Sequence, residues 1–449
     1  MKKLIYEPPI INKVNAGMPD KFGMNVTTNP ISYIDGVSVK DLLKDYGSPL
    51  FVLSEKTIEE TYNNSKIAFS SRYPKVQFAW SYKTNYLDAV CSLFHKLGSW
   101  AEVVSGFEYD KALKNGVDGK HIIFNGPDKS KEDLKKAVKN GSLIHIDHFD
   151  ELYMLLEIAD SIKETPKVAI RINMDTGIYP QWDRFGFNYE NGEAWNAINR
   201  IMISKKLNLV GLHCHIGTYM MSPSPYSVAT KKLIDLALEI DHKYNHKIKY
   251  LDLGGGFASK NTLKGAYLPG TDTCPSFDDY ADAITNVIIN SQISPENLPT
   301  LILETGRALI DDAGYLLGTV LANKRLASGR RATIIDIGVN MLFTSFWYEH
   351  EIFPAQQCSS QTEDTTIYGP LCMNIDVIRQ AIQFPILQKG DNVVIKRIGA
   401  YNMTQWMQFI TLRPKIVLID KKNKVHIVRE AETNSVFENL EKTPQYLKK

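Results

Sequence analysis

Cysteine is scarce in this sequence and none of it is paired. Five residues, Cys91, Cys214, Cys274, Cys358 and Cys372, are spread over 449 positions, with no CxxC and no metal-like spacing to histidine. No metal is expected, and free thiols in a reducing, cytoplasmic setting fit that usage. A dominant charge is missing too: 52 Lys and Arg against 50 Asp and Glu leave +2. Such a balance gives no electrostatic case for nucleic acid or an anionic membrane, so a small molecule is the expected partner. Nowhere do about eighteen apolar residues run together. The first residues hold only a short apolar stretch before Glu7, Pro8 and Pro9, so neither membrane insertion nor secretion is expected. Low-complexity segments and sequence-level repeats are also lacking.

What the sequence does have is 44% hydrophobic residues and a length beyond one comfortable core, which predicts two domains. From about 76 to 307 it alternates short apolar runs with helical stretches. The runs are Val76–Trp80, Trp100–Val104, His121–Phe124, Leu143–Ile146, Lys167–Ile172, Leu209–His215, Tyr250–Leu253 and Thr300–Leu303. Eight such units predict an α/β fold, a (β/α)8 TIM-type barrel, with an open doubly wound sheet as the rival. One connecting helix is expected after Asp128, ending at Asn140-Gly141, with its lysines on a solvated face. Beyond Arg307 come strand-like runs at Leu316–Leu321, Thr333–Ile337, Asn392–Ile395 and Lys415–Ile419, a hairpin turn at 420–424 and a charged tail. The expected division is a barrel over 47–314 and a second, β-rich domain, sandwich- or barrel-like, from 1–46 and 315–449.

In a parallel barrel the site lies at the carboxyl ends of the strands. Residues at or just past the ends of the apolar runs are Lys83, Ser105, Asn125, Asp147, Arg171, His215, Gly254, Gly255, Gly256, Glu304, Gly306 and Arg307. A lone lysine is usually a surface residue. At a strand end, partly desolvated among apolar neighbours, Lys83 would have a lowered pKa and could form a Schiff base with an aldehyde such as pyridoxal phosphate. The glycine triplet is either an ordinary tight turn or a place where backbone N–H groups approach an anion. Arg307 and Gly306, arriving from the next strand, would complete a phosphate cradle. Glu304 ends an apolar strand and needs a partner, either a pyridinium nitrogen or an ion pair with Arg307 or Arg171. His215 could stack on a flat cofactor or be a satisfied core histidine, and His213 should share its face.

With Lys83, His215, the triplet and Glu304-Thr-Gly-Arg307 in this order, the sequence resembles the alanine-racemase-fold pyridoxal-phosphate decarboxylases, which include the diaminopimelate, ornithine and arginine decarboxylases. Further matching segments are Glu102–Glu108, Arg184–Phe187, Gly369–Asp376 and Gly399–Tyr401, so the likeness runs from about 47 to 430. It implies a PLP-dependent carboxy-lyase acting on an amino acid, in a homodimer with shared active sites. In that arrangement Lys83 holds the cofactor as a Schiff base, His215 stacks on its ring and Glu304 pairs with the pyridine nitrogen. Gly254, Gly255, Gly256, Gly306, Arg307 and Tyr401 hold the phosphate, and Ser105 and Arg171 join the cofactor site. Thr218 replaces the usual serine but keeps a hydroxyl. Cys372 enters the partner's site as proton donor, its alternative being an inert buried thiol. Arg307, Tyr348, Cys372, Met373, Asn374 and Tyr401 face the substrate. Racemases of this fold place an arginine by that nitrogen, so Glu304 favours decarboxylation.

Two departures from the pattern concern the substrate's far end. Met373 and Asn374 follow Cys372 where the family commonly has an acidic residue, and Thr344 stands four residues before Tyr348 where diaminopimelate decarboxylases carry an arginine. Loss of both charges predicts another substrate, a modified or carrier-linked amino acid of specialised biosynthesis being one alternative. Thr305, where proline is usual, is a milder change. A non-catalytic regulatory homologue and a lysine-dependent aldolase or racemase are the competing readings.

Overall fold

A computed structural model describes residues 29–358 and 361–448. Most of the first piece expected for the β-rich domain, residues 1–28, lies outside the described residues. All eight predicted runs form strands: β1 (Val76–Ser81), β2 (Trp100–Val103), β3 (Ile122–Phe124), β4 (Leu143–Ile146), β5 (Lys167–Asn173), β6 (Asn208–His213), β7 (Tyr250–Asp252) and β8 (Thr300–Leu303). Each pairs in parallel with its neighbour, and β8 pairs back onto β1 through Leu301↔Val76 and Leu303↔Phe78. The β5–β6 pairing completes the ring, which rules out the open sheet. Helices between the strands follow their sequence signals. Ser130 caps Lys131–Lys139, whose Leu134, Ala137 and Val138 are buried while its lysines face outward, and Gly141 follows with φ +68°.

Alternation along the strands sets the interior. Ala79, Trp100, Ile123, Leu143, Ala169, Tyr250 and Ile302 pack together as an apolar floor. A strand's side chains repeat every second residue on one face, so the next inward positions are Ser81, Glu102, Asn125, His145, Arg171, Asp252 and Glu304. A register shift after Leu209 places Val210 in the floor and His213 level with Arg171. A polar layer therefore sits directly on an apolar one.

The second domain is a mixed sheet in the order Val377–Pro385, Thr362–Tyr368, Arg331–Ile335, Gly314–Arg325, Leu50–Ser54, Ile416–Ile419, Val425–Arg429. Strand Asn392–Lys396 also pairs with Gly314–Arg325 and carries Ile352–Pro354 on its other side. Leu50–Ser54 falls on the barrel side of the expected boundary at 47, yet it pairs through Val52 with Tyr315 and Val417 of the second sheet. All five of its residues are buried. A strand covered on both faces reads as a plain apolar run, and nothing local distinguishes it from a barrel strand. Among the described residues the chain thus passes through the second sheet at Leu50–Ser54, builds the barrel and returns to that sheet.

That return brings the two domains together over the barrel mouth. Ile398 donates to the carbonyl of Gly314 (3.1 Å), Tyr401 to that of Thr84 (2.8 Å), and Asn85 Nδ2 to that of Gly399 (3.0 Å). A side chain at Gly399 would collide with the carbonyl of Ile310, so only glycine permits the approach.

Candidate active site

Lys83 sits in a single helical turn, Tyr82–Thr84, immediately after β1. Its Nζ lies 2.7 Å from Oε2 of Glu102, a carboxylate with no exposed surface, while 41% of the lysine side chain remains accessible. Ser81 Oγ donates to the same Oε2 at 2.5 Å, and Asn125 Nδ2 donates to Glu102 Oε1 at 3.0 Å and to Glu304 Oε1 at 2.5 Å. Asn125 therefore bridges the two carboxylates. Burial alone would weaken the hold of Lys83 on its proton, but Glu102 and then Glu304 outweigh it and the net shift is upward. The expectation of apolar neighbours and a lowered pKa is corrected: the neighbours are anionic, and the free amine is kept protonated.

Glu304 pairs with neither Arg307 nor Arg171. Its Oε2 is 3.5 Å from His213 Nε2 and its Oε1 is 3.9 Å from His145 Nδ1. Arg171 turns instead to Asp147 (3.6 Å) and lies over the Phe185 ring (4.4 Å to the centroid). Burial pushes His145 and His213 well below the usual histidine range, so both are neutral rings. Burial, followed by the adjacent Glu304, pushes Asp252 well above the carboxylate range, so it is protonated. Within the layer, burial thus opposes any charge on His145, His213 and Asp252 beside the two glutamates. His145, His213 and Glu304 each offer a donor atom within 4.8 Å of the others. That set is looser than the ~3.4 Å edges of a tetrahedral zinc shell.

His215 lies just past β6. The backbone N–H of Gly255 donates to its Nδ1 at 3.2 Å, which leaves the ring proton on Nε2, and burial, then Arg171 and Lys83, depress its pKa far below normal. It is a neutral, oriented, flat ring, with Trp182 centred 5.5 Å away. In the triplet Gly254 and Gly256 have φ +64° and +93°, and a Cβ on Gly255 would come within 2.6 Å of the Glu304 carbonyl. Gly254 N–H donates to Asp252 Oδ1 (2.8 Å), whereas the amides of Gly256 and Gly306 have no hydrogen bond among the described residues. Arg307 is buried, hydrogen-bonded to the Tyr348 hydroxyl, and enclosed by the rings of Tyr401 (4.6 Å), Tyr348 (5.5 Å), Tyr219 (5.6 Å) and Trp347 (5.8 Å).

The other predicted residues are placed as follows. Ser105 Oγ accepts the Glu108 N–H (3.2 Å) and caps the helix Gly106–Lys114. Thr218 is exposed beside Gly217. Cys372 is an exposed free thiol on the loop between Gly369 and Asp376, with Asn374 also exposed and Met373 packed against the core. Asp376 is spent on that loop, accepting the amides of Val339 (2.8 Å) and Leu371 (2.7 Å). Thr344 is buried, its hydroxyl shared between His350 Nε2 (2.8 Å) and Asn402 Oδ1 (2.9 Å). Glu102, His145, Asp252 and Tyr219 were not singled out from the sequence. The first three lie two residues beyond a floor residue, a spacing that would have found them.

The mouth of this barrel offers an amine, an acid beside neutral imidazoles, free amides and a caged arginine, a donor set that suits an aldehyde carrying a ring nitrogen and a phosphate. The sequence pattern of the family described as "Pyridoxal-dependent decarboxylase, pyridoxal binding domain" matches residues 56–311. Diaminopimelate decarboxylase of Methanocaldococcus jannaschii is 33% identical over 89% of this chain and 92% of its own, and that of Aquifex aeolicus 29% over 89% and 93%. The crystal structure of the M. jannaschii enzyme with L-lysine superimposes with a TM-score of 0.85 at 31% identity, covering 94% of this chain and 99% of the other. The chain belongs to the pyridoxal-dependent decarboxylases, carboxy-lyases whose cofactor is pyridoxal 5'-phosphate. Among the described residues no helix is long and apolar enough to cross a membrane.

Because Glu102 leads the groups that hold the proton on Lys83, Glu102→Gln should lower the pH at which the apoprotein captures pyridoxal by at least about one unit. Appearance of the visible absorbance band across a pH series measures this; an unchanged midpoint would show that Glu102 does not control the amine.

Proposed function

We propose that this enzyme decarboxylates an amino acid whose far end differs from that of diaminopimelate, using Lys83, Glu304, His215 and Cys372. When bound, pyridoxal phosphate supplies an aldehyde for a lysine and a ring that accepts the electron pair left as a carboxylate departs. Lys83 is the amine that holds it. Glu304 would hold a proton at the ring nitrogen, as its place beside His145 and His213, both kept neutral by burial, favours. His215, fixed by the Gly255 amide, packs against one face. The free amides of Gly256 and Gly306 take the phosphate with Arg307 and Tyr401, while Gly254 and Gly255, whose amides go to Asp252 and His215, shape the turn that presents them, and Ser105, Arg171 and Thr218 lie at the edges of the cofactor site. Arg307, Tyr348, Cys372, Met373, Asn374 and Tyr401 meet the substrate.

The observation that carries the substrate reading is the burial of Thr344 between His350 and Asn402. A neutral side chain already committed to two partners cannot grip a distal carboxylate, and Asp376, committed to two amides, is not free to read a distal ammonium. Sites that do bind such groups discriminate by about 10⁴–10⁵ against substrates lacking them. Diaminopimelate should accordingly be turned over with kcat/KM below about 10⁴ M⁻¹s⁻¹, the lower edge of ordinary enzymes. Carbon dioxide release from a panel of free and conjugated amino acids, diaminopimelate included, decides it. Ordinary efficiency on diaminopimelate would sink the substrate reading and leave the chemistry standing.

Cys372, exposed on its loop, is proposed to deliver its proton in the site of a second copy. Lys83→Ala and Cys372→Ala proteins, each strongly impaired alone, should regain about a quarter of wild-type activity when unfolded and refolded together, since half the dimers then hold one intact site. A mixture no more active than its components would place both residues in one chain's site or remove Cys372 from the reaction.

A further inference from the structure

We infer that Asp311 is a positioning residue for the cofactor phosphate, its carboxylate clasping the loop after β7 and the Gly399–Tyr401 segment to the turn that carries Arg307. The inference rests on reading Arg307, the glycine triplet and Tyr401 as the phosphate cradle. These come from three stretches of chain far apart in sequence, and Asp311 touches all three. It lies one helical turn beyond Arg307 and is 1% exposed. Oδ2 accepts Ser259 Oγ (2.5 Å) and Asn261 Nδ2 (3.1 Å), three and five residues past Gly256. Oδ1 accepts the Ala400 N–H (3.1 Å), next to Tyr401, and the Asp311 carbonyl takes the Gly399 N–H (3.3 Å). Tyr219 extends the clasp: its hydroxyl donates to the carbonyls of Ser259 (2.7 Å) and Asn261, while its ring lines the Arg307 cage.

The choice of an acid here is informative. Three donors converge on two oxygens, which a carboxylate alone can accept without presenting a donor of its own. Yet burial works against the charge and lifts its pKa to about 6, against the opposing pull of Arg307 and the Ser259 and Ala400 bonds. Replacing such a buried charged cluster, donors included, by well-packed apolar residues is often neutral or stabilising. A residue serving packing alone would be better neutral; one that must orient an arginine and two loops around an anion needs the charge.

Asp311→Asn keeps the shape and removes the charge. On the apoprotein, affinities for pyridoxal 5'-phosphate and for pyridoxal, which lacks the phosphate, should be measured for wild type, Asp311→Asn, Ser259→Ala and Arg307→Ala, together with apoprotein unfolding temperatures. The ratio of the two affinities should fall about tenfold or more in Asp311→Asn and by a smaller factor in Ser259→Ala, as expected for hydrogen bonds to a charged group. The Asp311→Asn apoprotein should lose some thermal stability, because the amide NH2 faces one of the three donors, but its affinity for pyridoxal should stay within about threefold of wild type. A ratio within threefold of wild type in both variants overturns the inference. So does a parallel loss of both affinities with a fall in unfolding temperature, which would make Asp311 a folding residue. Arg307→Ala separates the premises: an unchanged ratio there would dismiss the cradle itself, while a collapsed ratio beside an unchanged Asp311→Asn would dismiss only the role of Asp311.

Discussion

Two carboxylates, Glu102 and Glu304, lie in the middle of a closed barrel, and the rest of the site is arranged around the cost of keeping them there. Neither reaches bulk water: Glu102 has no exposed surface and Glu304 only 5%. One answer is the ammonium of Lys83 at 2.7 Å from Glu102. Another is Asn125, whose amide donates to both acids at once. Arg171 turns away to Asp147, and the rest of the layer avoids adding charge, since burial holds His145 and His213 well below the usual histidine range and Asp252 well above the carboxylate range. An unpaired buried charge costs several kcal/mol, so removing any one of these partners disturbs the others. The pairing that lets the barrel close is also the one that presents a lysine and an acid at its open end.

Much of this could be read beforehand, and the parts that could not have identifiable causes. The eight barrel strands were legible because each is a short apolar run followed by a long helical connection, a pattern parallel strands require. The residues past each run gave Lys83, Arg171, His215, the triplet, Glu304 and Arg307. That reading stopped at strand ends, however, and two rings of side chains meet there. Lys83, His215 and Gly254 stand above Ser81, His213 and Asp252, two residues earlier on the same strands. Looking only at the tails mixed the rings and passed over Glu102, His145 and Asp252. Partners across the barrel were illegible for a different reason. Whether Glu304 meets Arg307, Arg171 or His213 depends on how eight strands stagger, which no single segment records.

In the second domain the sequence showed the central strands and lost the edges. Thr362–Tyr368 is mostly polar and Val377–Pro385 is half-exposed, so neither carries a strong alternation. Leu50–Ser54 had the opposite difficulty, being apolar throughout and buried on both faces. Its place beside Gly314–Arg325 ties it to the second sheet, and the pairing of Asn392–Lys396 with the same strand brings the segment Gly399–Tyr401 over the barrel mouth, where Tyr401 closes on Arg307. The residues proposed to hold the cofactor therefore come from both sheets. Thr344, which stands where diaminopimelate decarboxylases carry an arginine, is by contrast held within the second domain by His350 and Asn402, and Asp376 by the amides of Val339 and Leu371.

The account stands on Lys83 as the one residue that binds the cofactor's aldehyde. Purified enzyme should be yellow, and reduction with borohydride should bleach the visible band and leave a stable mass increase on a single peptide. The account predicts that this peptide contains Trp80-Ser81-Tyr82-Lys83-Thr84-Asn85, with the modification on Lys83. A modified lysine elsewhere, or a protein that takes up no cofactor and cannot be labelled, would contradict it.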